Sequence, residues 1–413
     1  MAKTIKTDVV ILGVGIGGYE TFRTLNRILK RKGIGAHITI IDQNNYFTFV
    51  PLLHEVATGS VESTHASIPL RELVYGTPHN FIKAEIQKVD RVKKEVYTSA
   101  GTISYTYCVI ALGSSTNFFG VLGAEKYAYH VRNLEDALSL KYSFVSKLES
   151  CLSEEFVITI VGGGFVGVEI AGQFGSLKKG DIQKLYPEKK IRIRIIEPNS
   201  SILSIMKSDV QERVKKRLEK MGIEFIFDTS VIEVTEDSVV LKNGEKMKSD
   251  ITMWAAGFAN LGTQFVEPDA CVKGRIEVDK SLRVVNDDHC YAIGDIACVI
   301  NIKNNKPTPQ LAEVAHKEGR YVGRHIAAML GQKKIKPFVF KSKGQLIPVG
   351  DWYGVAVIGP ITLYGRLAWW LRRTVYVMYM PGILRKLRIV FDWTIHSLGF
   401  GHFIHLERNK KGN

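Results

Sequence analysis

No run in this sequence approaches the ~18 uncharged apolar residues of a membrane-spanning helix; the nearest, residues 374–384, is short and interrupted by Pro381 and Gly382. Cysteine is scarce: Cys108, Cys151, Cys271, Cys290 and Cys298 are an odd set with no CxxC and no four-residue metal spacing. That excludes a disulfide framework and a structural zinc site, and fits a reducing compartment. The chain passes almost at once into a β-branched run at Asp8 to Leu12, which leaves no room for a signal peptide and predicts a cytoplasmic origin. Acid is short against base, 41 Asp and Glu to 56 Lys and Arg. No nucleic-acid-binding motif accompanies that excess. Residues 362–413 hold nine Lys and Arg against two Asp and Glu, interleaved with large apolar side chains. An anionic membrane surface suits such a tail better than nucleic acid does.

What is present is an ordinary folded composition, 45% hydrophobic and 23% charged over 413 residues, enough for two or three domains. Two glycine-rich turns carry most of the information. The first reads Asp8-Val-Val-Ile-Leu-Gly13-Val-Gly15-Ile-Gly17-Gly18, the second Val157-Ile-Thr-Ile-Val-Gly162-Gly-Gly164-Phe-Val-Gly167-Val-Glu169. In a strand-turn-helix unit the first glycine permits the tight turn, the second lets backbone meet a pyrophosphate, and the third lets helix pack on strand. The helix N-terminus then faces the phosphate charge. Downstream, the β-like runs 38–42 and 191–197 end in Asp42 and Glu197, carboxylates suited to a ribose diol and unsuited to a 2′-phosphate. Both acids lie farther along than is usual; in the second unit the basic stretch 178–190 accounts for this as a solvated loop. Two dinucleotides are implied in one polypeptide.

Three further segments have two readings each. The strands ending at Ala111-Leu-Gly113 and at Trp254-Ala-Ala-Gly257 bring backbone to a cofactor or simply turn on glycine. Asp295, directly after Gly294, accepts hydrogen bonds from a polyol or caps the helix that follows. Beyond a predicted hairpin at 343–359, Leu367, Trp370, Leu371, Val375, Met378 and Tyr379 fall on one helical stripe with Arg366, Arg372 and Arg373 mostly off it, and Ile383, Leu384, Leu387 and Val390 continue an apolar face. That stripe lies on a membrane surface, packs on the protein's own core, or forms a homodimer seam.

Over essentially its whole length the sequence resembles the type II, single-subunit, non-pumping NADH:quinone oxidoreductases. Besides the glycine turns, the resemblance is carried by Asp42-Gln-Asn-Asn-Tyr-Phe-Thr-Phe-Val-Pro-Leu-Leu-His-Glu-Val-Ala-Thr-Gly59, Trp254-Ala-Ala-Gly257, Ala292-Ile-Gly-Asp295 and the basic, tryptophan-bearing tail. It implies an α/β fold with two Rossmann-like dinucleotide-binding domains, for FAD and NADH, plus a C-terminal amphipathic membrane-binding region. The expected division is 1–119 and 261–336 for FAD, 120–260 for NADH, and 337–413 for the hairpin and membrane-surface helices.

By this resemblance Gly13, Gly15, Gly17, Gly18 and Asp42 hold the ADP half of FAD, Ile86 meets its adenine through backbone, and Ala111 and Gly113 lie near its pyrophosphate. Asp295 holds the ribityl chain, and Ala312 and Glu313 present backbone to the flavin ring. Gly162, Gly164, Gly167, Glu197 and Gly257 hold NADH. Glu169, in the first helical turn after Gly167, relays a proton to the quinone, or else is a carboxylate stabilised by the helix dipole. Glu313, Lys317, Lys343 and Leu346 line the quinone side, although the family's usual Ala-Gln-x-Ala-x-Gln appears here as Ala312-Glu313-Val-Ala315-His316-Lys317, with both glutamines replaced. No metal is expected. The partners are a membrane quinone and an anionic lipid surface, with peripheral attachment on the cytoplasmic side of the cell membrane. Sulfide:quinone oxidoreductases need a redox-active cysteine pair with a late partner, and no cysteine follows Cys298. Disulfide reductases need a CxxxxC near the first unit, which is absent. A flavin-bound redox sensor without turnover stands as the remaining rival.

Overall fold

The computed structural model describes residues 4–380 and 382–397. In chain order, the elements that matter are β1 (Ile5–Leu12), α1 (Ile16–Lys32), β2 (Ile38–Asp42), α2 (Leu53–Ala57), β3 (Asn80–Lys83) and β4 (Gly101–Ile110). Then come β5 (Glu155–Val161), α3 (Phe165–Leu177), β6 (Lys190–Ile196), β7 (Ile223–Ile226), β8 (Ile251–Trp254), β9 (Cys290–Ala292) and α4 (Ala312–Leu330). The C-terminal part holds β10 (Gln345–Pro348), β11 (Gly354–Ile358), β12 (Ile361–Gly365), α5 (Arg366–Tyr379) and α6 (Ile383–Ser397).

The chain divides into two compact units. Of the described residues, the first comprises 4–49, 67–115 and 258–342, the second 50–66, 116–257, 343–380 and 382–397. In the first, β3, β2, β1 and β4 lie side by side in parallel, with β9 parallel to the C-terminal half of β4. In the second, β7, β6, β5 and β8 repeat the same third-second-first-fourth order, again all parallel. That order is the dinucleotide-binding half-fold. It arises because β1 and β5 are near-continuous β-branched runs, buried on both faces, that only a central parallel strand can accommodate.

The stretch 178–190 is only in part the solvated loop its charge predicts: its second half is mostly exposed, but its first half is helical. Helix α3 runs on through a wide turn at Lys178–Ile182, and Ile182 is buried, so one apolar anchor outweighs the surrounding lysines. The predicted hairpin gains a third strand: β10, β11 and β12 form an antiparallel sheet against which α5 packs. Helix α3 rests on the end of this sheet, since a Cβ at Gly172 would lie 2.6 Å from the Gly350 nitrogen. Residues 50–66 belong to the second unit, where α2 packs on α3 and on the helix Leu134–Ser150, and side chains of α5 and α6 also reach α2, as the next subsection describes.

Candidate functional site

Each unit builds the same cradle from its glycine turn. In the first, Gly13 leaves β1 at φ 82 and donates to the Ile41 carbonyl at 2.8 Å. The next amide, Val14, donates to Asp42 Oδ2 at 2.7 Å, while Asn44 donates to Oδ1 at 2.8 Å. Burial pushes the Asp42 carboxyl up, against the pull of these two amides. In the second, Gly162 leaves β5 at φ 106 and donates to the Ile196 carbonyl at 2.8 Å. Gly163 then donates to Glu197 Oε2 at 2.6 Å, and the Asn199 amide donates to Oε1 at 3.1 Å. Each acid is thus fixed beside its turn: both oxygens of Asp42 and Oε2 of Glu197 accept one hydrogen bond each and keep a second lone-pair direction for a hydroxyl, while Glu197 Oε1 accepts from both the amide and the side chain of Asn199.

The third glycines work by close approach. A Cβ at Gly18 would stand 2.0 Å from the Gly13 carbonyl oxygen, and one at Gly167 would stand 1.9 Å from that of Gly162. The middle glycines face outward, for a Cβ at Gly15 or Gly164 meets nothing within 4 Å. Neither α1 nor α3 has a side-chain cap on its N-terminus, so the first helical N–H groups are left to an external anion. These features fit a pyrophosphate in each cradle.

Around the first cradle, Gly17 packs against Ile293 and the Ala315 carbonyl, and the Ala111 carbonyl lies where a Cβ on Gly13 would collide with it. Gly113 turns at φ 71 with open space beside it. The Ala84 amide donates to the Asp42 carbonyl at 3.0 Å, which brings the segment leading to Ile86 alongside the acid. Asp295 does not cap a helix; it sits inside the short turn Gly294–Ile296, and α4 begins only at Ala312. Its Oδ2 accepts from Ser114 Oγ at 2.8 Å, and its carbonyl accepts from Gln310 Nε2 at 3.1 Å. Behind this turn the buried Glu318 accepts from the Gly294 amide at 2.7 Å, and burial pushes its carboxyl up to about 8. Nothing in the sequence pattern marks Glu318 beyond an acid on the inner face of α4.

In the second unit Gly257 has no room for a Cβ because the Phe119 ring covers it, and its carbonyl accepts from the Asn117 amide at 3.2 Å. Glu169 follows in the first turns of α3 with its side chain 19% exposed. Burial pushes its carboxyl up to about 7; the Arg372 cation opposes this and the Glu55 anion adds to it. A carboxyl raised toward neutrality is the kind of group that suits proton transfer.

Beneath Glu169 lies a set of charged residues to which the sequence reading gave no role. Arg372 is 2% exposed and donates through Nη1 to Glu55 Oε1 at 3.0 Å, and through Nη2 to the Pro51 carbonyl at 3.1 Å. The same Nη2 stands 3.1 Å from His54 Nε2, and His54 Nδ1 stands 3.7 Å from Glu169 Oε2. Trp393 Nε1 donates to Glu55 Oε2 at 3.1 Å, and the Arg373 guanidinium lies 3.8 Å from the Trp369 ring centroid and 4.2 Å from that of Trp393. Burial pushes the Glu55 carboxyl up, but Arg373, Arg372 and His54 together hold it down at about 2. Burial and the Arg372 cation hold the His54 imidazole down at about 3, so it is neutral. Two polar residues at 54 and 55 in an otherwise apolar segment, and two arginines set among tryptophans, were the available signal.

Helix α5 is therefore turned inside out. Arg372 and Arg373 face the interior, while Leu367, Trp370 and Met378 of the apolar stripe are 65%, 52% and 69% exposed. Leu387, Val390 and Phe391 of α6 are exposed as well. The side chains of Ile383 and Leu384 lie outside the described residues. Among the described residues no helix is long and apolar enough to cross a membrane.

The two residues that replace the usual glutamines pair with each other. Lys317 Nζ lies 2.6 Å from Glu313 Oε1, one turn apart on α4, and also donates to the Lys341 carbonyl; Ser342 Oγ donates to Glu313 Oε2 at 3.2 Å. Ala312 is exposed at the helix start. In the second unit Lys343 is exposed and Leu346 is half-buried on β10. Cys108 and Cys290 are partners in the β4–β9 register, both fully buried, and burial pushes the Cys108 thiol well up, so neither resembles a reactive sulfur.

Against known proteins, residues 7–319 match the family described as pyridine nucleotide-disulphide oxidoreductase. The chain is 25% identical to the type II NADH:quinone oxidoreductase of Staphylococcus saprophyticus, over 90% of its own length and 94% of the relative's, and 25% identical with the same coverage to that of Staphylococcus aureus. Among solved structures it is similar to NDH2 from Plasmodium falciparum in complex with NADH, with a TM-score of 0.87, 22% identity, and 96% and 99% of the two chains covered. The sulfide:quinone oxidoreductase of Aquifex aeolicus matches with a TM-score of 0.73 and 19% identity, covering 90% of each chain. With three quarters of its length inside the matched region and the parallel-sheet cradle built twice, this chain belongs to the pyridine nucleotide-disulphide oxidoreductase family.

Proposed function

We propose that the protein is an FAD-dependent NADH:quinone oxidoreductase that works at a membrane surface and does not pump protons. The observation that carries the reading is the duplicated cradle, which gives one chain two dinucleotide positions, each with a carboxylate for an unphosphorylated ribose. In this reading Gly13, Gly15, Gly17, Gly18 and Asp42, with Ile86, Ala111, Gly113 and Asp295, hold FAD, and the backbone at Ala312 and Glu313 serves its ring. Gly162, Gly164, Gly167, Glu197 and Gly257 hold NADH. The bound flavin supplies the redox chemistry, accepting a hydride from NADH and returning two electrons to a quinone. The chain binds, orients and handles protons: Glu169 gives a proton from its carboxyl to the reduced quinone. The Glu313–Lys317 pair, Lys343 and Leu346 border the quinone, where a neutral amide pair has become an ion pair.

Anaerobic mixing with NADH, NADPH or sulfide, followed at the flavin absorbance and then by quinone addition, tests the reading. NADH bleaches the flavin and quinone restores it; bleaching by sulfide alone would overturn the assignment. Glu169→Gln keeps FAD and is still bleached by NADH, but its re-oxidation by quinone slows by about a hundredfold or more, the usual scale for a lost proton donor. Unchanged re-oxidation at every pH removes Glu169 from the mechanism.

The lipid surface is the second part of the reading. The outward Leu367, Trp370, Met378, Leu387 and Phe391 match an interfacial helix pair, with tryptophan half in water. Deleting the tail is a poor test because it strips Glu55 of Arg372 and Arg373. The cleaner variant is Leu367→Glu/Trp370→Glu/Phe391→Glu, which should no longer sediment with anionic phospholipid vesicles and should still bleach with NADH. Unaltered sedimentation would mean that another surface meets the membrane.

A further inference from the structure

The proposed chemistry needs Glu169 to titrate near neutrality, and the groups around it explain how this chain holds it there. Facing its carboxylate are His54 on α2, Arg372 and Tyr376 on α5, and the Glu55 anion farther in. His54 Nδ1 stands 3.7 Å from Glu169 Oε2. The Nε2 of the same ring faces the Arg372 guanidinium at 3.1 Å, and Glu55 Oε1 stands 3.7 Å from that nitrogen. A guanidinium can only donate, so the nitrogen 3.1 Å from Arg372 Nη2 must be the unprotonated one. A neutral imidazole with a bare Nε2 carries its proton on Nδ1, and Nδ1 is the nitrogen turned to Glu169. Arg372 cannot easily slip, because Glu55 and the Pro51 carbonyl hold its other donors and its guanidinium lies over the Tyr376 ring at 4.5 Å.

We propose that His54 is a positioning residue for quinone reduction: Arg372, reaching in from helix α5, fixes the Nδ1–H tautomer of His54, and that N–H steadies the ionised form of Glu169. The inference rests on the proposed function above, since it assigns the ring a purpose only if Glu169 handles the proton. It makes α5 more than a lipid contact. The helix whose outer face is apolar carries on its inner face the cation that orients the proton-handling group, and Trp393 of α6 braces the same Glu55.

Two substitutions separate orientation from bulk. In His54→Gln the side-chain oxygen can still accept from Arg372, so the buried cation stays satisfied, but the donor at the Nδ1 position is gone. In His54→Asn the amide NH₂ takes the place of Nδ1–H and the donor is kept. Full-length protein, reduced anaerobically with NADH and mixed with a soluble quinone, gives the pH profile of flavin re-oxidation. With the donor gone, the carboxylate is less stable and its titration moves to higher pH. The His54→Gln limb should therefore shift upward by about half a pH unit or more, a change of about threefold in rate within the limb. The His54→Asn limb should stay near wild type, and both variants should bleach normally with NADH, which shows that they fold and bind both nucleotides. A limb that is present in wild type, abolished in Glu169→Gln and unmoved in His54→Gln overturns the proposal and leaves the function standing. Failure of NADH to bleach the wild-type flavin overturns the function, and the proposal with it. Arg372→Lys supplies a second measure, since a shorter single-point cation cannot hold Glu55, Pro51 and His54 together. Its limb should move in the same direction as that of His54→Gln, and an unmoved limb counts against the proposal.

Discussion

Purified Gly167→Ala protein should remain yellow yet fail to bleach with NADH, whereas Gly18→Ala should emerge colourless. The two glycines are equivalent in geometry: each lies on a helix so close to the carbonyl that opens its turn that an added methyl would stand 1.9 Å or 2.0 Å from that oxygen. Heavy atoms do not approach so closely, and the obstacle is backbone on both sides, so the helix start must lift off the turn. Such overpacking costs about 1–3 kcal/mol in a core. Here the displaced part is also the row of N–H groups that meets the pyrophosphate, so binding suffers as well as stability. Titration with NADH and flavin absorbance after gel filtration read the two losses separately. Normal NADH affinity in Gly167→Ala would place the nicotinamide cofactor elsewhere.

A comparable effect on stability is expected from Glu55→Gln. The substitution barely changes volume, but it leaves Arg372 and Arg373 in the interior without their anion. Removing one member of a buried charged group typically costs about 3–5 kcal/mol. Thermal denaturation followed by release of bound flavin should show a fall of the midpoint on the order of 10 °C. The triple variant Glu55→Gln/Arg372→Met/Arg373→Met should recover much of that loss, because no uncompensated charge remains. A Glu55→Gln midpoint equal to wild type would mean that water reaches the arginines. The pH dependence follows the same logic. The folded Glu55 carboxyl titrates at about 2, below its ordinary value of 4.5, so its contribution is fully present above pH ~4.5 and is lost as pH falls toward about 2.

The parallel strands and both cradles were legible because their physics is local. A β-branched run, a glycine spacing and a terminal acid lie within one stretch of chain, and steric rules tie them to one geometry. The reading of 178–190 as a loop failed for its first half because composition does not reveal that a single residue, Ile182, would be buried and carry the helix onward. The apolar stripe of α5 was correctly periodic, but periodicity has no sign. It identifies a face without saying whether that face looks in or out, and here the arginine side is the inner one. What decides the matter is Glu55, more than three hundred residues earlier, and no window along the chain contains both. Glu313 and Lys317 were visible as departures from the glutamine pattern, yet only their spacing of one helical turn hints that they neutralise each other.

The inward arginines also alter what the tail can offer to lipid headgroups. Nine cations are counted in residues 362–413, but Arg372 and Arg373 are already matched to Glu55 and hidden from the water side. Each basic residue near an acidic leaflet adds about 1 kcal/mol of attraction, so two fewer lower the electrostatic share by about 2 kcal/mol. In the proposed membrane attachment, adhesion leans on oily side chains more than composition implies, and raising ionic strength should dislodge the protein less than a simple count of positive charges would lead one to expect.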